Sequence, residues 1–353
     1  MTTTVAPPTV RVTRLRVRWI LAGIGAVAVA ALLGVAVGPV AIAPGRFLGE
    51  LTQYLPWVDG GVGLDDQQMN IVRELRLPRV VLALLVGSML AGAGASYQGV
   101  FRNPLADPYL LGAAAGAGLA ATITIVASPG VTNGGFSILP VAAFGGALGA
   151  VLLAYALGRA GGGRSPATLL LAGVAVAAFF TAAQTYVQAR NADDIRQVYS
   201  WILGRLTVAS WREVVLVLPY FVVTSVILLA HRRVLDVLAV GEDEATTLGI
   251  PAARTRLLIV GAASLATAAA VSVSGLIAFV GIIVPHTVRL LFGSSYRVIL
   301  PLSLLFGGAF LALADLVART ATAPAEIPIG VVTAFVGAPF FVLVLRTSRE
   351  VHS

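Results

Sequence analysis

Ten apolar runs, most of them about as long as a bilayer-crossing helix, recur from near the start to near the end of this 353-residue chain. A helix rises 1.5 Å per residue, so about 20 residues cross the hydrocarbon layer, where no water is available to satisfy backbone polar groups. The pattern therefore predicts an all-α integral membrane protein. Its ten expected transmembrane helices lie near 19–40, 79–99, 109–128, 137–158, 167–189, 212–231, 254–273, 276–292, 297–318 and 327–345, the eighth being short. Composition agrees: 58% of residues are hydrophobic and 11% charged, against about a quarter charged in soluble domains. One transmembrane domain, 19–346, is expected between a cytoplasmic N-terminal segment, 1–18, and a cytoplasmic tail, 347–353. The first run follows four arginines and has no small-residue cleavage site, which makes it a retained helix rather than a signal peptide.

The net charge of +8 does not point to nucleic acid, because the arginines are spread over loop ends rather than interleaved with aromatics. With the N-terminus placed in the cytoplasm, 15 of the 24 basic residues fall on that side, so the positive-inside rule puts both termini there. Cysteine is absent, which excludes disulfide and thiol chemistry. All the basic residues are arginine, for which the sequence offers no physical reason.

Several residues stand out against this apolar background. Arg73, Arg76 and Arg79 recur every third residue before the second span, and Arg319 closes the ninth on the same outer face. They fit either interfacial snorkelling or a docking surface for a partner bearing carboxylates, to which the arginine fork is suited. On the cytoplasmic side, residues 234–250 read as two short helices broken at Gly241, with Glu242, Asp243 and Glu244 opening the second. That pattern fits a compact knob or a solvated loop whose acidic residues complement a helix dipole. Asp315 is either a proton relay or, as preferred here, the ion-pair partner of Arg319 four residues on. His286 has no neighbour at metal-ligand spacing, and no metal or cofactor is expected. The segment 194–206 is amphipathic and too short to cross, so it should lie at the outer interface.

The glycines at 87, 92 and 94, and at 112, 116 and 118, lie inside apolar runs without a following lysine. Close helix packing explains them better than phosphate binding. With no nucleotide-binding loop and no nucleophile constellation, the chain is not read as an enzyme, and energy must come from another chain or an ion gradient. A faint internal echo, 79–112 and 256–293, pairs an Arg-led helix with a Gly/Pro-broken segment, as transporter repeats do.

Specific blocks add a resemblance. LRLPR (75–79), NPLADPYLLG (103–112), LLLAG (169–173), WILG (201–204), the GE and LG elements of 241–249, GIIVPHTVR (281–289) and AEIPIGVVTAFVGAP (325–339) follow one another in order. They resemble the FecCD-type permeases of binding-protein-dependent ABC importers for iron siderophores, haem and vitamin B12, the vitamin B12 permeases most of all. The resemblance implies a ten-helix subunit of the cytoplasmic (inner) membrane. It would form a homo- or heterodimer with a second permease subunit, with two ABC ATPase subunits below and an extracytoplasmic substrate-binding protein above. It assigns ATPase coupling to Leu238, Gly241, Glu242, Ala245, Leu248 and Gly249, and binding-protein docking to Arg76, Arg79 and Arg319. It places a cytoplasmic gate at Asn103, Leu105 and Ser165, although the turn Ser165–Ala167 departs from the Ser/Thr-rich pattern of the relatives. Helices 167–189 and 327–345 would line the pathway. The expected cargo is an iron complex, a ferric siderophore or haem, with a corrinoid as the alternative. A proton-coupled secondary transporter using Asp315 and Glu326 is the rival of a different class.

Overall fold

The computed structural model describes residues 14–38, 64–128, 138–160, 166–207 and 209–350, and among these the regular structure is entirely helical. The helices are α1 (Val17–Ala36), α2 (Asp66–Val100), α3 (Ala113–Ala127), α4 (Leu139–Ala160), α5 (Pro166–Arg190), α6 (Ile195–Ile202), α7 (Trp211–Leu238), α8 (Glu242–Thr247), α9 (Ala252–Ser274), α10 (Val280–Phe292), α11 (Tyr296–Thr320) and α12 (Ile329–Glu350). Each of the ten expected spans corresponds to one of α1–α5, α7 and α9–α12. Seven are long and apolar enough to cross a bilayer by themselves, while α3, α10 and the apolar part of α12 are shorter.

Two boundaries differ from expectation. Helix α2 starts well before residue 79, at Asp66, capped by the Asp65 carboxylate accepting from the Gln68 backbone N–H at 2.7 Å. It passes through a π-helical turn, Ile71–Arg76, that carries Arg73 and Arg76. Helix α7 runs on to Leu238, so the first of the two short helices expected in 234–250 is the end of a long one. Hydropathy falls at Arg232, but nothing there breaks a helix, and arginine is a good helix former.

The core is built on α2, α9 and α11, whereas α5 has the least buried span, with Leu171, Val174 and Phe179 exposed. Helices approach closely where both contribute glycine. A Cβ on Gly87 would fall on the carbonyl oxygen of Gly307, one on Gly94 on that of Gly281, and one on Gly116 on that of Gly146. Apolar side chains gain little by leaving lipid, so such backbone contacts carry much of the association energy. Gly94→Val is expected to force α2 and α10 apart, destabilising the fold by at least the roughly 1–3 kcal/mol of an overpacked core. Thermal melting in detergent checks this, with Gly261→Ala as the near-neutral control, since a Cβ at Gly261 meets nothing within 4 Å.

The internal echo takes physical form as two long helices, each followed by a break and a short helix: α2, residues 101–112 and α3; α9, residues 275–279 and α10. The breaks interlock. The Tyr109 hydroxyl donates to the Ile277 carbonyl at 3.0 Å and accepts from the Ile277 N–H at 3.1 Å, satisfying backbone that left the helical ladder. A left-handed residue precedes each short helix, Gly112 (φ 82°) and Phe279 (φ 71°). Phe279 is unusual there for a residue with a Cβ, and its ring packs where α12 has only Gly337.

Candidate functional site

At one end of the bundle the sequence places four charged groups that the fold brings together. The Arg79 guanidinium bonds the Asp315 carboxylate through Nε (3.0 Å) and Nη2 (2.8 Å), and the Glu326 carboxylate through Nη1 and Nη2 (2.9 Å each). One planar fork thus engages two carboxylates, a geometry that lysine could not reproduce. Arg319, one turn after Asp315, sits 3.7 Å from its carboxylate and donates to the Gly34 carbonyl. Arg76 donates to the carbonyls of Val35 (2.8 Å) and Ala36 (2.9 Å). Helix α1 has no basic residue in its last turn. Arg76 and Arg319 supply from neighbouring helices the donors its C-terminal carbonyls lack.

The three arginines assigned to docking are therefore turned into the bundle, with Arg79 12%, Arg76 4% and Arg319 3% exposed. Of the outer set, Arg73 is exposed, and its carbonyl accepts from the Trp211 indole at 3.0 Å. The expected Asp315–Arg319 pair is present, but the closer partner of Asp315 is Arg79.

One cavity adjoins this cluster, and a second lies beside the first. The first, of about 430 Å³, is lined by Arg79, Arg196, Tyr199, Arg205, Glu326 and Ile329. The other, about 670 Å³, is apolar and lies along α12, with Leu276, Val331, Phe335 and Pro339 in its walls. Leu203, after α6, lines both. The α6–α7 connection is tied to its surroundings by Arg205 N–H to the Ser274 carbonyl (2.8 Å) and Gly330 N–H to the Leu203 carbonyl (3.0 Å). Helix α6 is amphipathic as expected, with Val198 and Trp201 buried.

The opposite end carries the knob. Leu238 and Ala245 are buried and root α8 against the bundle, whereas Val240 just before it is 67% and Leu248 at its far end 68% exposed. Gly241 and Glu242 start α8, and Gly249 (φ 76°) turns the chain out of it. Just before the knob, Asp236 on α7 accepts from the Ser295 hydroxyl (2.8 Å) and the Tyr296 N–H, and pairs with Arg297 at 3.3 Å. It thereby caps α11 in trans. Nearby, Arg289 donates to the Tyr296 hydroxyl at 2.9 Å and to the Gln98 amide oxygen at 3.3 Å.

Of the gate residues, Asn103 is exposed and its side-chain oxygen accepts from the Leu105 N–H at 2.9 Å, shaping the turn after α2. Leu105 is half-buried, and Ser165 lies outside the described residues. His286 is buried edge-on to the Phe340 ring, 5.8 Å between centroids. Among the described residues no three His, Asp or Glu side chains converge as metal ligands would. The capping contacts of Asp236 and the place of Arg196 and Arg205 in a cavity wall escaped the sequence reading, since each depends on elements distant in the chain.

Comparison with known proteins gives the family and the fold. The model of the FecCD transport family matches residues 26–347. The cobalamin import system permease protein BtuC of Halobacterium salinarum is 46% identical over 292 residues, covering 82% of this chain and 77% of that protein. The hemin transport system permease protein HmuU of Yersinia pestis is 37% identical, covering 82% of this chain and 87% of its own length. Among solved structures, a metal-chelate type ABC transporter in an inward-facing conformation aligns with a TM-score of 0.81 at 27% identity, covering 94% of this chain and 99% of that one.

Proposed function

Because the chain belongs to the FecCD transport family, we propose that it is the permease subunit of a binding-protein-dependent ABC importer of the cytoplasmic membrane, moving an iron complex such as a ferric siderophore or haem. The observation that carries this reading is the α8 knob. It presents exposed Val240 and Leu248 beyond the end of α7, and it stands next to the Asp236 cap that ties α7 to α11. A chain that holds no nucleotide-binding loop but offers such a handle suits energy input from separate ATPase subunits. The coupling residues are Leu238, Gly241, Glu242, Ala245, Leu248 and Gly249, with both termini on the same, cytoplasmic side.

A second permease subunit, identical or a sister chain, would cover the exposed apolar faces of α5 and α12, where Phe179 and Phe335 stand out. The substrate-binding protein would sit over the opposite end. There Arg76 and Arg319, themselves buried, tie the end of α1 to α2 and α11, and Arg79 and Glu326 retain partial exposure beside them. Asn103, Leu105 and Ser165 form the proposed cytoplasmic gate. Cargo passes by alternating access, handed over rather than tightly held. A corrinoid is the second reading, favoured by the 46% identity to a cobalamin permease.

The test is uptake into proteoliposomes holding the permease, its ATPase and its binding protein. Entry of a ferric siderophore, haemin or cobalamin only when ATP is hydrolysed is the expected result, and the cargo accepted decides between the two readings. Uptake that persists without ATPase and follows a proton gradient would sink the importer reading and return Asp315 and Glu326 to the role of proton carriers.

A further inference from the structure

The cavity of about 430 Å³ at the outer end holds more arginine than its acids can answer. Both carboxylates in its wall, Asp315 and Glu326, are already bonded to Arg79. Arg196 and Arg205 also line it, and neither guanidinium makes a hydrogen bond or ion pair with a described residue. Arg205 is half-buried, and burial pushes its guanidinium below its ordinary pKa. A guanidinium withdrawn from water without a partner is unfavourable, and a ligand that supplies an anion removes that penalty.

Position says which ligand. Arg205 follows Gly204 (φ 77°), directly after Leu203, which lines both cavities, so the arginine-lined space lies next to the apolar cavity along α12. A solute moving from the outer end would meet two arginines first, then Leu276, Val331 and Phe335. That order fits a molecule with an apolar body and an anionic group at its edge. A side chain from a docked protein could also reach Arg196, which is exposed on α6, but would have to enter the recess to reach Arg205.

We propose that Arg205, assisted by Arg196, receives a carboxylate or phosphate of the cargo at the outer mouth of the pathway, so that this permease favours anionic cargo with an apolar body. The inference rests on the importer reading for its direction of transport but not for the binding event itself. The Arg79 network holds the wall of the cavity and leaves Arg196 and Arg205 to the ligand.

The experiment uses one probe pair alike in body and metal and different in charge: haemin against its dimethyl ester. Binding of each to the purified permease in nanodiscs, without ATPase, is compared for wild type, Arg205→Gln and Arg205→Lys. The wild type should prefer haemin, the anionic member of the pair. Arg205→Gln should weaken that member about tenfold while leaving the neutral one unchanged, and Arg205→Lys should restore part of the difference. The absence of any preference in the wild type, or a preference unaltered in Arg205→Gln, overturns the proposal whatever the energy source. Uptake in the assembled importer supplies the second arm. If Arg205→Gln lowers entry of charged and neutral cargo alike and weakens affinity for the binding protein, Arg205 is a protein-docking residue and the cargo assignment falls. Failure of the importer reading is separately visible, as uptake by the wild type that ignores ATP.

Discussion

Asp315→Asn is expected to destabilise the folded permease by about 3–5 kcal/mol, the loss typical when one member of a buried charge network is removed. The carboxylate is 1% exposed and is the shared partner of Arg79 and Arg319, themselves 12% and 3% exposed. Asparagine keeps the shape and removes the charge. Two buried guanidiniums then face a neutral amide whose own N–H groups point at like donors. The measurement is the detergent melting temperature together with the yield of monodisperse protein. Arg319→Gln added to Asp315→Asn should recover part of the loss, because it withdraws one of the stranded charges, and the double-mutant cycle measures the coupling. Glu326→Gln should cost well under 1 kcal/mol, since Glu326 is 27% exposed and water screens its pair with Arg79. If Asp315→Asn melted like wild type yet lost transport, the carboxylate would be a proton carrier rather than a structural anchor.

This network marks where reading the sequence stops. The helices were legible because lipid imposes one simple rule, and their apolar runs stand between charged or Gly/Pro breaks. The Asp315–Arg319 pair was legible because four residues is one helical turn. Arg79 was not, as a partner for Asp315, because 236 residues separate them and only the packing of α2 on α11 brings them into contact. The outer arginines were readable as a set but not in direction. A π-helical turn changes the angular step between residues, so Arg73 and Arg76, three apart, end up exposed and buried respectively. Glycine triplets announced close packing without saying that Gly94 meets Gly281 or Gly116 meets Gly146. The break at Gly241 was readable from glycine itself, whereas the join of 234–238 to α7 was not, since hydropathy falls at Arg232 and helix propensity does not. Arg205 was one arginine in an amphipathic stretch, and its want of a partner is a property of the cavity.

Leu248→Glu should abolish ATP-driven uptake while leaving the permease as stable as wild type. Leu248 is 68% exposed at the far end of α8 and supports little within this chain, while its neighbours Leu238 and Ala245 hold the knob in place. A large apolar side chain maintained in water at the tip of a polar helix is the kind of group that fills a partner's pocket. Loss of such an anchor costs about 2 kcal/mol or more, roughly thirtyfold in affinity for the ATPase, and a carboxylate in its place adds desolvation against binding. Asp236→Ala should behave differently. Its carboxylate caps α11 and lies one turn from the start of the knob, touching nothing at the tip. The ATPase should therefore still bind and hydrolyse ATP, with fewer cargo molecules moved per ATP because motion of the knob reaches α11 less directly. Pull-down of the ATPase, hydrolysis rate and uptake, measured together, separate the two variants. Were Leu248→Glu to bind its ATPase and transport normally, the α8 tip would be a solvated loop, and the energy input would have to enter the bundle elsewhere.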